Sequence, residues 1–516
     1  MADKTQILQI GLENWAPFLS EEQKGKLDWV YLDVRHLTVP RVKKVLDTRK
    51  RGAFEGVLCT DSLSNEALRL LDRKIEAYSL IIDPSFEEEL DPTIQKRKCP
   101  LWMDTSDKES ILKILSTSFF GWQGGSTLHT NSIFVDPGFK GSYRIHGESF
   151  LRLEGHFEDH GDKTLLSWQQ NMGFINGQSR KLYLNYTHDE GVEITLDVSI
   201  MAQGRAEIIE RRSYDERAIS EGIDIAYEAG FGNLEFSLRV KGYGCLDVGI
   251  LHIQDSRNGY GEYLLGGKRI RDHLNQDFYY YFHPGDLKPP LTVYFAGYHS
   301  GKSFEGFFRM KKPGAPFLLI TDSRLEGGSF YMGSPELEQR LVGVIEESLA
   351  TLGFSHHELI LSGLSMGTTG ALYYAKDLSP RAVLVGKPLV NLGDVTQNER
   401  LVRPGGFPTS LDIQYSLTGS LSQQASQDLN ARFWEKFDQG SYEATTFRVA
   451  YMLNDDYDDQ AYAQLQEHLV HKETQLIGKG ILGRHNDNSS AINEWFFRQH
   501  DWLLQEEFGR EVQNVL

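Results

Sequence analysis

The spacing of apolar residues changes twice along this chain, and that pattern limits the folds open to it. Over roughly residues 1–122, short β-forming runs such as "QILQIG", "DWVYLDV", "FEGVLCTD" and "YSLIIDP" alternate with helical patterns such as "SNEALRLLDRKI". Strands alternating with helices predict a small parallel α/β domain. From about 123 to 272 the period becomes two, in "SYRIHGESFLRLEGHF", "KLYLNYTH", "VEITLDVSI" and "LEFSLRVKGYGCLDVGILHI". Alternation with turn residues between the runs predicts an antiparallel β-sandwich. Many carbohydrate-binding modules are such sandwiches, although fold alone does not carry that function. From 273 to 516 strands and helices alternate again on a larger scale, predicting a larger C-terminal α/β domain, which the serine motif within it makes α/β-hydrolase-like. The length of 516 residues suits two or three domains rather than one core.

The chemistry-bearing feature lies in the third region. The run "ELILSG" enters Gly363-Leu364-Ser365-Met366-Gly367, and the helical pattern "TTGALYYAKDL" comes next. Strand, Gly-x-Ser-x-Gly and helix form the nucleophile elbow of α/β-hydrolases. So tight a turn needs glycine two residues either side of the serine, hence Gly363 and Gly367. The helix after the turn directs its first amides at the site, where the Met366 N–H would meet a developing oxyanion. Alone the motif is weak evidence. It gains weight from an acid and a histidine later in the chain, in the hydrolase order of serine, acid, histidine.

The strand "FRVAYML" ends in Asn454-Asp455-Asp456-Tyr457-Asp458-Asp459, where this fold presents its acid. Asp455 and Asp456 compete for that role. The loop "KGILGRHND" before the last helix supplies His485 as the base. His471 and His500 sit in helical patterns and are less suited. A second oxyanion donor is expected after the strand "LTVYFAGY", with the Tyr298 amide as the candidate and His299 read as a loop residue. This constellation points to acyl transfer through an activated serine.

Other patterns argue for less. "QIGLENW" lacks the GxGxxG of a dinucleotide site, so a packing or docking role suits the first region. "His156-Phe157-Glu158-Asp159-His160" lies among strands rather than on a helix and reads as a hairpin tip, not a metal motif. A formal net charge of −18 argues against nucleic acid as a main partner. Cys59, Cys99 and Cys245 are scattered, which fits reduced thiols in the cytoplasm rather than disulfides or zinc. The start "MADKTQILQIGLENW" has no signal-peptide pattern, and no apolar run is long enough to span a membrane. The Asn-x-Ser/Thr matches at Asn185 and Asn488 therefore carry no weight.

The segments "LTVYFAGYHSGKSFEGFF", "LSGLSMGTTGALYY" and "GRHNDNSS", behind an α/β segment and a sandwich, resemble the family of the second accessory secretory protein of the accessory Sec system. The resemblance spans most of the chain and is sharpest after residue 290. It implies a cytoplasmic protein, peripheral at the membrane through its complex. Its implied partners are other accessory secretory proteins, an accessory Sec ATPase and a serine-rich repeat adhesin. It also implies O-acetylation of N-acetylglucosamine on that glycoprotein by a Ser-acid-His triad with no bound cofactor, the acetyl donor being unidentified. Ser365 and His485 match the family's roles, and Asp455 fits the acid position better than Asp456. The family also uses glutamate there, and an aspartate can fill the same role. Two alternatives share the scaffold: a serine carbohydrate esterase, and a non-catalytic assembly subunit of the export complex.

Overall fold

The computed structural model describes residues 4–511, apart from 39, 41, 43–44, 46–51, 63–64, 175–176, 404–405 and 408. Its strands fall into three sheets. The first is wholly parallel, with Leu27–Asp33 outermost, then Thr5–Gly11, Gly56–Cys59, Leu80–Ile82 and Leu101–Trp102. Its apolar residues fill both faces, as a parallel sheet covered by helices requires.

The second is antiparallel and is organised by one 25-residue strand, Phe231–Asp255. The first half of that strand pairs with Val192–Ala202, and the second half pairs with Arg180–His188. The two layers close on one core that includes Leu196, Val198, Leu238, Leu246 and Leu251. The alternating pattern of Val192–Ala202, buried at every second residue over most of its length, is the period of two seen in the sequence. His156 ends the strand Phe150–His156, and a short 3-10 turn, Phe157–His160, comes after it. The Phe157 ring is buried and stacks on Phe139, so this turn is tethered to the core rather than free at a tip.

The third sheet has eight strands: β1 (Lys268–Arg271), β2 (Asp277–His283), β3 (Leu291–Phe295), β4 (Phe317–Thr321), β5 (Leu359–Leu364), β6 (Ala382–Gly386), β7 (Thr446–Met452) and β8 (Gln475–Ile481). Their spatial order is β1-β2-β4-β3-β5-β6-β7-β8. The sheet begins before residue 273, because Lys268–Arg271 pairs antiparallel with β2. From β4 onward every pairing is parallel. β5 is buried over five of its six residues: Leu359 and Leu361 face one cluster, Ile360 the other.

Helix α1 (Pro335–Leu352) follows β4. Ser334 Oγ accepts from the Leu337 amide, Pro335 occupies the first turn, and Gly353 at φ 73° ends it. Helix α2 (Met366–Tyr373) follows β5. Three helices lie between β6 and β7: α3 (Leu392–Leu401), α4 (Ser410–Thr418) and α5 (Gln423–Asp438). We call the segment with α3 and α4 the cap, while α5 packs Leu429, Phe433 and Phe437 into the core on the sheet face. Helix α6 (Ser489–Trp502) covers the far face. Among the described residues no helix is long and apolar enough to cross a membrane.

Candidate active site

The turn from β5 into α2 is as tight as its glycines suggest. A methyl group on Gly363 would lie 2.3 Å from the Gly367 carbonyl oxygen, and one on Gly367 would lie 2.1 Å from the Phe295 oxygen. Both obstacles are main chain and cannot swing away. Between these glycines Ser365 adopts φ 52°, ψ −120°, a conformation that costs a non-glycine residue roughly 1–3 kcal/mol. Its amide donates to the Gly386 oxygen at 2.9 Å, which ties the turn to β6.

Three side chains far apart in sequence meet here. Ser365 Oγ lies 2.9 Å from His485 Nε2. His485 Nδ1 lies 2.9 Å from Asp455 Oδ2 and 3.1 Å from Asp455 Oδ1. Both His485 and Asp455 are buried. The carboxylate fixes the proton on Nδ1, leaving Nε2 to accept from the serine. Asp455 is oriented in turn, since its Oδ1 accepts from the Tyr457 amide at 2.9 Å.

The neighbouring aspartates do other things. Asp456 does not meet the imidazole ring: its Oδ1 accepts from the His485 main-chain amide at 3.0 Å, and its Oδ2 pairs with Arg403 Nε at 2.9 Å. Asp458 is buried and accepts from the Val390 and Asn391 amides, both at 2.8 Å, and from Asn391 Nδ2. Burial outweighs those donors and raises its pKa to about 6.

Met366 opens α2, so its amide is one of the four that a helix leaves without an internal acceptor. β3 pairs Phe295 with Gly363, bringing the next loop alongside the elbow. In that loop the Gly297 amide donates to Glu305 Oε2 at 2.6 Å and the His299 amide to the Gly327 oxygen at 3.4 Å. The Tyr298 amide between them meets no acceptor among the described residues. The Tyr298 ring is half-buried against Phe407 of the cap, 4.9 Å between centroids. His299 is drawn below its ordinary pKa by burial, with Glu305 opposing, and stays in the loop. Of the other late histidines, His500 is buried in α6 against Thr292 Oγ1 at 3.2 Å, remote from the elbow in its contacts. His471 lies in the turn before β8.

The family model described as the accessory Sec system GspB-transporter matches residues 5–510. The chain belongs to this family. It is 38% identical over 515 residues, 99% of this chain and all of the other, to an accessory Sec system protein of Streptococcus gordonii. It is 37% identical over 528 residues, the whole of both chains, to one of Staphylococcus aureus. Among solved structures it is similar to a chain of the Glycosylation Associate Protein (Gap123) complex from Streptococcus agalactiae, with TM-score 0.89 and 35% identity over 99% of this chain and 100% of that one.

Several groups around the site of this accessory Sec protein carried no motif. Lys387 follows β6 at φ 60°, is buried, and donates from Nζ to Ser489 Oγ at 3.2 Å. Burial lowers its pKa, with Asp455 and then Glu305 pulling the other way. Phe407 lies between Tyr298 and Tyr457. Only "GKPL", a glycine-lysine pair at a strand end, could have flagged Lys387, and nothing local could have flagged Phe407.

Proposed function

We propose that this accessory Sec protein is a serine-dependent O-acyltransferase that acetylates N-acetylglucosamine on serine-rich repeat glycoproteins bound for export. Ser365 is the nucleophile, His485 the general base and acid, and Asp455 the group that orients the imidazole. The observation that carries the reading is the unbroken relay from Ser365 Oγ through His485 to Asp455, with contacts of 2.9 Å at each step. An acyl donor's carbonyl carbon bonds to Ser365 Oγ as His485 Nε2 takes the hydroxyl proton. That proton then leaves with the donor's departing group. A sugar hydroxyl next gives its proton to Nε2 and attacks the acyl carbon, and the bond to Ser365 breaks as Nε2 passes that proton to Oγ. The Met366 and Tyr298 amides would hold the oxyanion in both steps.

The family membership supports work in the accessory Sec pathway on the cytoplasmic side. The similarity to a chain of a three-protein complex supports other accessory secretory proteins as partners, with the export ATPase and adhesin as further contacts at the membrane. The test is intact-mass measurement after incubation with an activated acetyl ester. One acetyl should add to the wild type and none to Ser365→Ala. O-acetyl content of the exported glycoprotein should fall with Ser365→Ala. Equal acetyl content in both strains would overturn transfer, and acyl turnover to water alone would make the protein an esterase.

A further inference from the structure

His485 sits in a loop with little packing of its own. Leu482 beside it is 73% exposed, and Arg484 pairs only locally, with Asp487. Yet proton transfer needs the imidazole held to a fraction of an ångström against both Ser365 and Asp455. Something outside the loop must fix its backbone.

The acid loop supplies that anchor, and the cap braces it. Asp456 accepts the His485 amide with one carboxylate oxygen and forms an ion pair with Arg403 Nε through the other. Arg403 comes from the segment just after α3. Its guanidinium carbon lies 3.6 Å from the centre of the Tyr457 ring, and that ring stands edge-on to the His485 imidazole at 4.4 Å. Further ties bind the same cap segment to the acid loop. Tyr457 Oη donates to the Gly406 oxygen at 3.0 Å, and Asn398 Nδ2 donates to the Tyr457 oxygen at 3.2 Å. One guanidinium nitrogen of Arg403, Nη1, is buried with no partner among the described residues. A side chain kept where one donor goes unmet is held there by its other contacts.

We propose that Arg403 and Asp456 are positioning residues, a latch through which the cap holds the His485 backbone in register with Ser365 and Asp455. The proposal rests on the acyl-transfer reading of those three residues. It makes the cap part of the machinery: a cap displaced from Asp456 would release the histidine while leaving the elbow intact.

The test uses the full chain with Arg403→Met, Asp456→Asn, the double variant and Arg403→Lys. Hydrogen–deuterium exchange is followed in the peptide spanning residues 479–490, and turnover with 4-nitrophenyl acetate in parallel. Each single variant should speed exchange in that peptide, but not in the elbow peptide, and lower kcat about tenfold with KM retained. The double variant should be no worse than either single, because both act through one link. Arg403→Lys should restore part of both readouts. Multiplied losses in the double variant, or unchanged exchange in the singles, would overturn the latch. The two proposals separate cleanly. A wild type that never acylates Ser365 while the exchange effects persist sinks acyl transfer and leaves the latch. A wild type that turns over, with variants that match it, does the reverse.

Discussion

At the scale of single residues, the elbow shows how sterics and chemistry converge. Gly363 and Gly367 are fixed by carbonyls 2.3 and 2.1 Å from where a methyl group would sit. Gly363→Ala should therefore cost at least about 3 kcal/mol, measured by urea denaturation, since neither strand nor helix can retreat. Ser365 itself is held in a strained conformation. Ser365→Gly should be about 1 kcal/mol more stable than Ser365→Ala in the same assay, because glycine relaxes φ 52° and alanine does not. Asp455→Asn should lower acyl turnover by about a thousandfold or more, through loss of the correct tautomer. This far exceeds the effect expected at Asp456. The adjacent pair could not be resolved from sequence because both carboxylates lie in one turn. Their separate targets, ring nitrogen and main-chain amide, are set by how that turn leaves β7.

At the scale of elements, the loop after β3 is anchored from an unexpected side. Lys302 Nζ lies 2.7 Å from Nδ1 of His252, a residue of the long sandwich strand, and both side chains are buried. Burial lowers the Lys302 pKa to about 8, with Asp277 opposing. It also holds His252 well below the usual imidazole range, reinforced by the neighbouring lysine charge. Because the folded pKa lies below that of an unfolded lysine, the folded state holds fewer protons than the unfolded chain between about pH 8 and 10.5. Stability must rise with pH across that window, and the penalty is full below it. Relative to Lys302→Met, the wild type should gain on the order of 3 kcal/mol from pH 7.5 to 10.5. Parallel denaturation curves with a pH-independent gap would contradict this. Nothing in "HSGKSFEG" marks its lysine as buried, since that depends on a strand about fifty residues earlier in the chain.

For the whole molecule, the three sheets are joined by polar contacts that leave no trace in local pattern. Arg257 is buried and donates to the carbonyls of Ser118, Phe120 and Tyr263, linking the end of the first region to the sandwich. Removing it as Arg257→Met strands those acceptors and should lower stability by about 2–3 kcal/mol in denaturant melts of the full chain. The first region also reaches the third sheet through Tyr78 Oη to the Phe282 oxygen at 2.9 Å, and Arg97 Nε to the Gly285 oxygen at 3.0 Å. The sandwich meets the cap at Asp412, which accepts from the Glu148 amide at 2.8 Å, and His146 stacks on Tyr415. The cap thus touches the sandwich at one end and, at the other, the acid loop that carries Asp456 and Tyr457.

Short-range sterics and periodicity made part of this protein legible in its residues alone. That part comprises the parallel runs, the alternating strands, the Gly-x-Ser-x-Gly turn, the capped helix after Ser334, and a serine, acid and histidine in workable order. Each depends on neighbours a few residues away, so each leaves a pattern. Packing in three dimensions settled the rest: which aspartate meets the imidazole, what holds the histidine, and why Lys302 and Arg257 are buried. Those outcomes depend on groups brought together across 29 to 139 residues. At that range a side chain's partner is fixed by how sheets and cap pack, which no local spacing encodes.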